Sequence, residues 1–137
     1  MGAPRPPQIL PYLTVRDARA MLAFCADAFG GETVMVMEDA GGISHARTQI
    51  GEGLIMMYEE RAGAYRANRA PQSLSGSPVA IRIELTDAAA VDATFARATA
   101  LGAEEVVTPV DRPWGRLAEV RDPQGHIWRL ASTAGAD

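Results

Sequence analysis

The chain has no lysine, and all thirteen of its cationic side chains are arginine. Schiff-base chemistry on a side-chain amine is therefore excluded. A single cysteine rules out an intramolecular disulfide, and the place of Cys25 inside a helical pattern points to a small buried hydrophobe rather than a reactive thiol. No apolar run approaches the roughly 20 residues needed to cross a bilayer. The opening MGAPRPPQ also lacks the charged-then-apolar plan of a signal peptide, so a cytoplasmic protein with no membrane partner is expected. A formal charge of -4 weighs against nucleic acid as a partner, because phosphate binding requires a basic face. There is no Walker loop, GxGxxG, HExxH, zinc-spaced cysteine pair or nucleophile elbow. What is present, 137 residues of which 47% are hydrophobic, suffices for one domain over 1–137 with a sizeable core.

The chain states one pattern twice. TVRDARAMLAFCADAFGGETV returns as ELTDAAAVDATFARATALGAEEV, with Asp17 answering Asp87 at a shift of 70 and Gly30 answering Gly102 at a shift of 72. The second shift persists, carrying Ala46 onto Ala118 and Gly53 onto Gly125. A repeat occurring only twice is a duplicated supersecondary unit, since a solenoid needs three or more copies. Each copy reads strand, capped helix, then three strands. In the first, Ile9 to Val15 is a strand, Asp17 an N-cap, Met21, Leu22, Phe24, Cys25 and Ala28 an apolar stripe, and Gly30 the stop. In the second, Val79 to Leu85, Asp87, the stripe Val91, Phe95 and Ala98, and Gly102 play the same parts. Strands are expected afterwards at Glu32 to Glu38, Ser44 to Ile50 and Leu54 to Tyr58, then at Glu104 to Val107, Arg116 to Arg121 and Ile127 to Ala131. The expected class is α+β, with βαβββ units over 8–58 and 78–132 joined by a polar linker or flap over 59–77 that has room for a short helix.

This duplicated plan, the tail WGRLAEVRDPQGHIWRL, the opening PYLTVRDARAMLAFCADAFGGE and the crossing APQSLSGSPVAIRIELTD together resemble the vicinal oxygen chelate superfamily, which includes glyoxalases, bleomycin-resistance proteins and extradiol dioxygenases. The resemblance implies a curved mixed sheet with helices on its convex side and a ligand cavity on the concave side. It further implies that small members pair as homodimers to complete their crevices. Metal-dependent members hold a divalent ion with side chains from the first and last strands of each unit. Carried onto this chain, those positions are Leu10, Ala80, Met57 and Arg129. None offers a carboxylate or imidazole, and a guanidinium has no lone pair, so no metal and no cofactor are expected.

Strand alternation predicts what fills the hollow. With Ile81, Ile83 and Leu85 under the helices, Arg82 and Glu84 point inward; Leu13 and Val15 leave Tyr12 and Thr14 inward; Ala118 and Val120 leave Glu119 and Arg121. The expected ligand-binding set is Tyr12, His45, Arg47, Met57, Arg82, Glu84, Glu119 and Arg129, with the Trp114 indole at the mouth as a stacking surface. The charged members have a structural alternative as ion pairs that satisfy one another, His45 as a hydrogen-bonded strand residue, and His126 as a packing residue of the Asp122-Pro123-Gln124-Gly125 turn.

Three functions follow. The first is a metal-free binder that sequesters an organic, antibiotic-like or anionic aromatic compound; the arginines of the inner face favour a carboxylate, phenolate or carbonyl-rich ligand. The second is an enzyme of the same superfamily, a lyase, isomerase or transferase, using His45, Glu84 and Glu119 as acid and base or binding a metal at shifted positions. A third is a dimeric interaction module with a vestigial cavity.

Overall fold

A computed structural model describes residues 5–61 and 69–134. The first unit comprises β1 (Tyr12–Val15), α1 (Ala18–Phe29), β2 (Glu32–Asp39), β3 (Gly42–Ile50) and β4 (Gly53–Glu59). After a short α2 (Pro71–Leu74) the second repeats the order with β5 (Ala80–Glu84), α3 (Ala88–Ala100), β6 (Glu104–Arg112), β7 (Gly115–Arg121) and β8 (Ile127–Ser132). Each unit forms its own four-stranded mixed sheet, in the orders β1-β4-β3-β2 and β5-β8-β7-β6. The lone parallel pair in each, β1 with β4 and β5 with β8, is the one that a helix must cross over to make. The expected pair of βαβββ units is therefore present, built on two separate sheets. The first strand starts at Tyr12 rather than Ile9, and β6 runs on past Val107 to Arg112. Of the stretch 59–77, residues 62–68 lie outside the described residues, and α2 is the short helix for which it had room.

Both helices start as their sequences foretell. The Asp17 carboxylate accepts the Ala20 N–H at 2.9 Å, and the Asp87 carboxylate accepts that of Ala90 at 2.8 Å. Gly30 ends α1 in the left-handed region at φ 70°, where a side chain would be strained. The apolar stripes then meet one face of each sheet: Met21, Phe24 and Cys25 from α1, and Val91, Phe95 and Ala98 from α3, pack on Leu13, Val15, Ala46, Val120 and Leu130. Each large side chain so buried contributes about 1.5–3 kcal/mol. The core is continuous between units, because the Phe29 ring lies 5.4 Å from Phe24 and 4.7 Å from Trp128. Within it, burial first and the Asp122 carboxylate second push the Cys25 thiol up to about 12, so the cysteine is an inert packing residue as expected.

A clasp at the β7–β8 turn adds polar contacts between the halves. The Asp122 carboxylate accepts the backbone N–H groups of Gln124 and His126 and, at 2.6 Å, the indole N–H of Trp128. The turn so shaped projects two side chains onto the first unit. Gln124 Oε1 accepts the N–H groups of Arg16 and Asp17 at the start of α1, and His126 Nε2 donates to the Thr14 carbonyl at 2.8 Å. His126 is thus the packing residue of the turn.

Pairing corrects one detail of the internal repeat. Ala46 lies opposite Met57, and its mate Ala118 opposite Leu130. The first pair of equivalents differs by 72 and the second by 73, because three residues separate the paired Asp122 and His126 of the β7–β8 turn and only two separate their equivalents Ile50 and Gly53. Beyond the turn, Arg129 therefore answers Met56, not Met57.

Candidate ligand-binding site

One face of each sheet carries the helices, and the opposite face carries the polar side chains that alternation placed there. On the first sheet, Tyr12 Oη and His45 Nδ1 are 2.7 Å apart, and Arg47 Nε donates to His45 Nε2 at 2.8 Å. An arginine N–H can only donate, so Nε2 is the acceptor. In the neutral ring Nδ1 carries the hydrogen and donates to Tyr12. Tyr12 also stands edge-on to His45 at 5.5 Å and to Tyr58 at 5.4 Å, so aromatic contacts and hydrogen bonds fix the cluster together. Met35 and Met37 lie across from Arg47 and His45 on the neighbouring strand, both exposed, and extend the face with adaptable apolar surface. Met57 does not belong here. It is 0% exposed and packs in the core on the helix side, because the single-shift alignment ran one residue past its true register and so reversed its face. Met56, opposite Tyr12 and Arg47, takes the place expected of it.

The second sheet presents Arg82, Glu84, Glu119 and Arg129. Arg82 pairs with Glu84 at 2.9 Å while its guanidinium carbon sits 5.2 Å from the centre of the Trp114 ring. Trp114 is thereby drawn to the same patch, with Arg82 sandwiched between an anion and a π face. Although desolvation opposes it, hydrogen bonds from Arg82 and from the hydroxyl and backbone N–H of Thr133 hold the Glu84 carboxyl below its usual value. Arg129 approaches Glu119 at 3.6 Å, and Arg121 pairs with Glu104 at 2.8 Å. The ion-pair reading of these residues is thus observed, yet Arg82 and Arg129 keep more than two fifths of their side-chain surface exposed, open to a ligand as well.

A groove of about 820 Å³ separates the open edge of β1 from that of β5. Its walls are mainly apolar, with Leu10, Val79, Ile81 and Ile127 prominent, and Tyr12 and Arg82 bring the two polar faces to it. His45, Arg47, Glu84, Glu119, Arg129 and Trp114 lie outside its lining. Leu74 had no place in the sequence reading, and Ile9 and Val79, expected as the first residues of strands, lie outside β1 and β5, strongly exposed along the groove. Large apolar residues set beside Pro and Ser were the available signal.

The positions that the family resemblance implies for a metal ion carry no carboxylate or imidazole. In the corrected register they are Leu10, Met56, Ala80 and Arg129, and Leu10 and Ala80 form part of the apolar groove wall. Among the described residues no three His, Cys, Asp or Glu side chains converge as a metal would require. Shifted coordination by His45 with Glu84 and Glu119 is likewise not assembled.

Comparison with known proteins agrees with the duplicated fold. The family model for the Glyoxalase/Bleomycin resistance protein/Dioxygenase superfamily matches residues 6–130, and the chain belongs to this family. An uncharacterized protein of Mycobacterium tuberculosis is 35% identical over 127 residues, covering 90% of this chain and 73% of its own length. TioX from Micromonospora sp. ML1 is similar in structure with a TM-score of 0.67 and 27% identity, covering 96% of this chain and 99% of that one. The fosfomycin resistance protein FosX from Mesorhizobium loti shares the fold at a TM-score of 0.66 and 18% identity, over 95% and 93% of the two chains. No helix among the described residues is long and apolar enough to cross a membrane.

Proposed function

We propose that this protein is a metal-free small-molecule binder of the glyoxalase/bleomycin-resistance type. Its ligand is an organic compound with an apolar body and a carboxylate, phenolate or carbonyl-rich head, of the kind an antibiotic or an aromatic acid provides. The observation that carries the reading is the chemistry at the family's metal positions, where three apolar side chains and a guanidinium replace carboxylate and imidazole. The groove between β1 and β5 accommodates the apolar body, and Arg82 at its rim meets the head. A guanidinium grips a carboxylate through two parallel hydrogen bonds, and the Trp114 ring beneath Arg82 fixes its plane. Arg129 stands directly opposite Arg82 on the neighbouring strand and adds a second cation. A homodimer is part of the proposal, since Met35, Met37 and Trp114 leave apolar surface exposed on both open faces and a second copy would enclose the ligand.

The test is a thermal-shift screen of aromatic acids and polyketide-like compounds, followed by calorimetry. Arg82→Met and Arg129→Met each weaken an anionic ligand by about 1.5–3 kcal/mol, roughly ten- to a hundredfold. Tightest binding by cations, or undiminished binding of a carboxylate in both variants, would overturn the reading. Sedimentation equilibrium at micromolar concentration tests the dimer, and a monomer would remove it.

A further inference from the structure

The two halves approach each other through equivalent contacts, and only one of the two is filled. On the filled side the β7–β8 turn lies against β1. Pro11 and Val15 accept backbone hydrogen bonds from Met56 of β4 and from Glu60 just past it, so the intervening Thr14 carbonyl points to the open edge, where the His126 imidazole takes it. On the other side the shorter β3–β4 turn faces β5. Leu85 donates to Ala131, so the Glu84 carbonyl, which answers Thr14 at the shift of 70, points to the open edge in turn. The residue that answers His126 there is Gly53, since Ile127 and Leu54 occupy the same place in their pairings. Glycine has no side chain to insert.

A cleft of about 540 Å³ lies at this spot. Phe29, Ile50, Ile81, Ile83 and Leu85 all line it and are only partly buried against the core. The equivalents of Ile83 and Leu85 on the filled side are closed off: Leu13, which answers Ile83, is 8% exposed, and Val15, which answers Leu85, is 0% exposed.

From this vacancy we infer a second binding site, distinct from the β1–β5 groove, that takes a small planar heteroaromatic molecule bearing an N–H donor. The protein's own His126 is the template for the occupant. A flat ring fills the space between Phe29, Ile83 and Leu85, and its N–H meets the edge carbonyl of Glu84 as the imidazole meets that of Thr14. An apolar ring lacking the donor leaves that carbonyl facing the cleft without a partner.

Benzimidazole, with its donor-free isostere indene as control, serves as the probe, and methyl NMR of isoleucine- and leucine-labelled full-length protein is the readout. Benzimidazole shifts the Ile50, Ile83 and Leu85 methyls saturably, and indene binds roughly fivefold more weakly for want of one hydrogen bond. Gly53→His supplies the missing imidazole from within and abolishes the shifts. The backbone admits it, because a Cβ at Gly53 meets only the Ile50 carbonyl at 3.5 Å, an ordinary contact. Leu85→Trp fills the cleft from the opposite wall and provides the same test should the first variant fold poorly. Shifts confined to Ile9 and Leu10, which line the groove alone, equal binding in a folded filled variant, or equal binding of indene would each overturn the inference. A cleft covered by a second copy gives no shift at concentrations where the protein is dimeric, and overturns it too.

Discussion

The β3–β4 and β7–β8 turns occupy equivalent places in the two units and do opposite things. Asp122 organises the longer turn so that Gln124 caps the start of α1 and His126 seals the edge of β1, leaving Leu13 and Val15 closed off beneath it. The shorter turn, Gly51-Glu52-Gly53, brings no comparable side chain, and Ile83 and Leu85 remain partly open. Duplication thus preserved the strand order and the helix N-caps, while the turns diverged so that His126 closes one half of the core and Gly53 leaves the other open. The same divergence settles register. In a strand, a slip of one exchanges the buried face for the open one, so the unequal turns also decide which of two adjacent methionines Arg129 answers.

The sharpest way to break that comparison is to put arginine at both methionines. Met56→Arg copies what the second unit already has at Arg129 and changes stability by less than about 1 kcal/mol. Met57→Arg forces a charge among Leu13, Ala46 and Ile55, costs upward of about 4 kcal/mol and leaves the chain unfolded or insoluble. Urea denaturation of the two proteins checks it, and equal stability would mean that the register between β3 and β4 is wrong.

A smaller effect tests the clasp. Trp128→Phe retains an aromatic ring but removes the indole N–H, leaving one oxygen of the buried Asp122 carboxylate without its donor. The expected cost is about 1–3 kcal/mol. The corresponding change in the first unit, Ile55→Leu, rearranges only apolar atoms and costs less than about 1.5 kcal/mol. Should the two prove equal, the Asp122–Trp128 hydrogen bond would carry no special weight in closing the second turn.

Much of this architecture was legible beforehand because it is written twice. Asp17 and Asp87 as caps, and Ala118 and Val120 as core with Glu119 and Arg121 opposite, followed from periodicity checked against its own repeat. Met57 was misplaced because one shift was extended across a turn of unequal length, and no hydrophobic pattern separates Met56 from Met57 by type. The groove was illegible for a different reason. Its walls come from the edges of strands about seventy residues apart and from Leu74 in a helix of one turn, so no periodic face announces it. The clustering of Tyr12, His45 and Arg47 was foreseen only as a shared face. That the imidazole receives one hydrogen bond and has a phenol at its other nitrogen depends on side-chain directions that alternation does not fix.

The smallest expected effect sets the two halves against each other in pH. Glu60, just past β4, is held below the usual carboxylate value, first by the Ala70 N–H and then by the Ser73 hydroxyl, with Arg69 and Arg16 adding to it. A carboxyl lowered on folding stabilises fully above its ordinary value, and that stabilisation is lost as the pH falls through the folded one. Asp122 behaves in the opposite sense. Burial raises its carboxyl despite the Trp128 indole and the His126 imidazole and backbone N–H, so its contribution is fully present below the ordinary value and declines as the pH rises through the folded one. Across the acid limb the two slopes partly cancel. Removing the first-unit carboxylate with Glu60→Gln therefore leaves a shallower rise of melting temperature between about pH 3 and 6, with the variant below the parent at neutral pH and converging on it in acid. An unchanged slope in the variant would show that the hydrogen bonds from Ala70 and Ser73 favour the neutral amide as well as the carboxylate, and that the acid sensitivity of the fold resides in other groups.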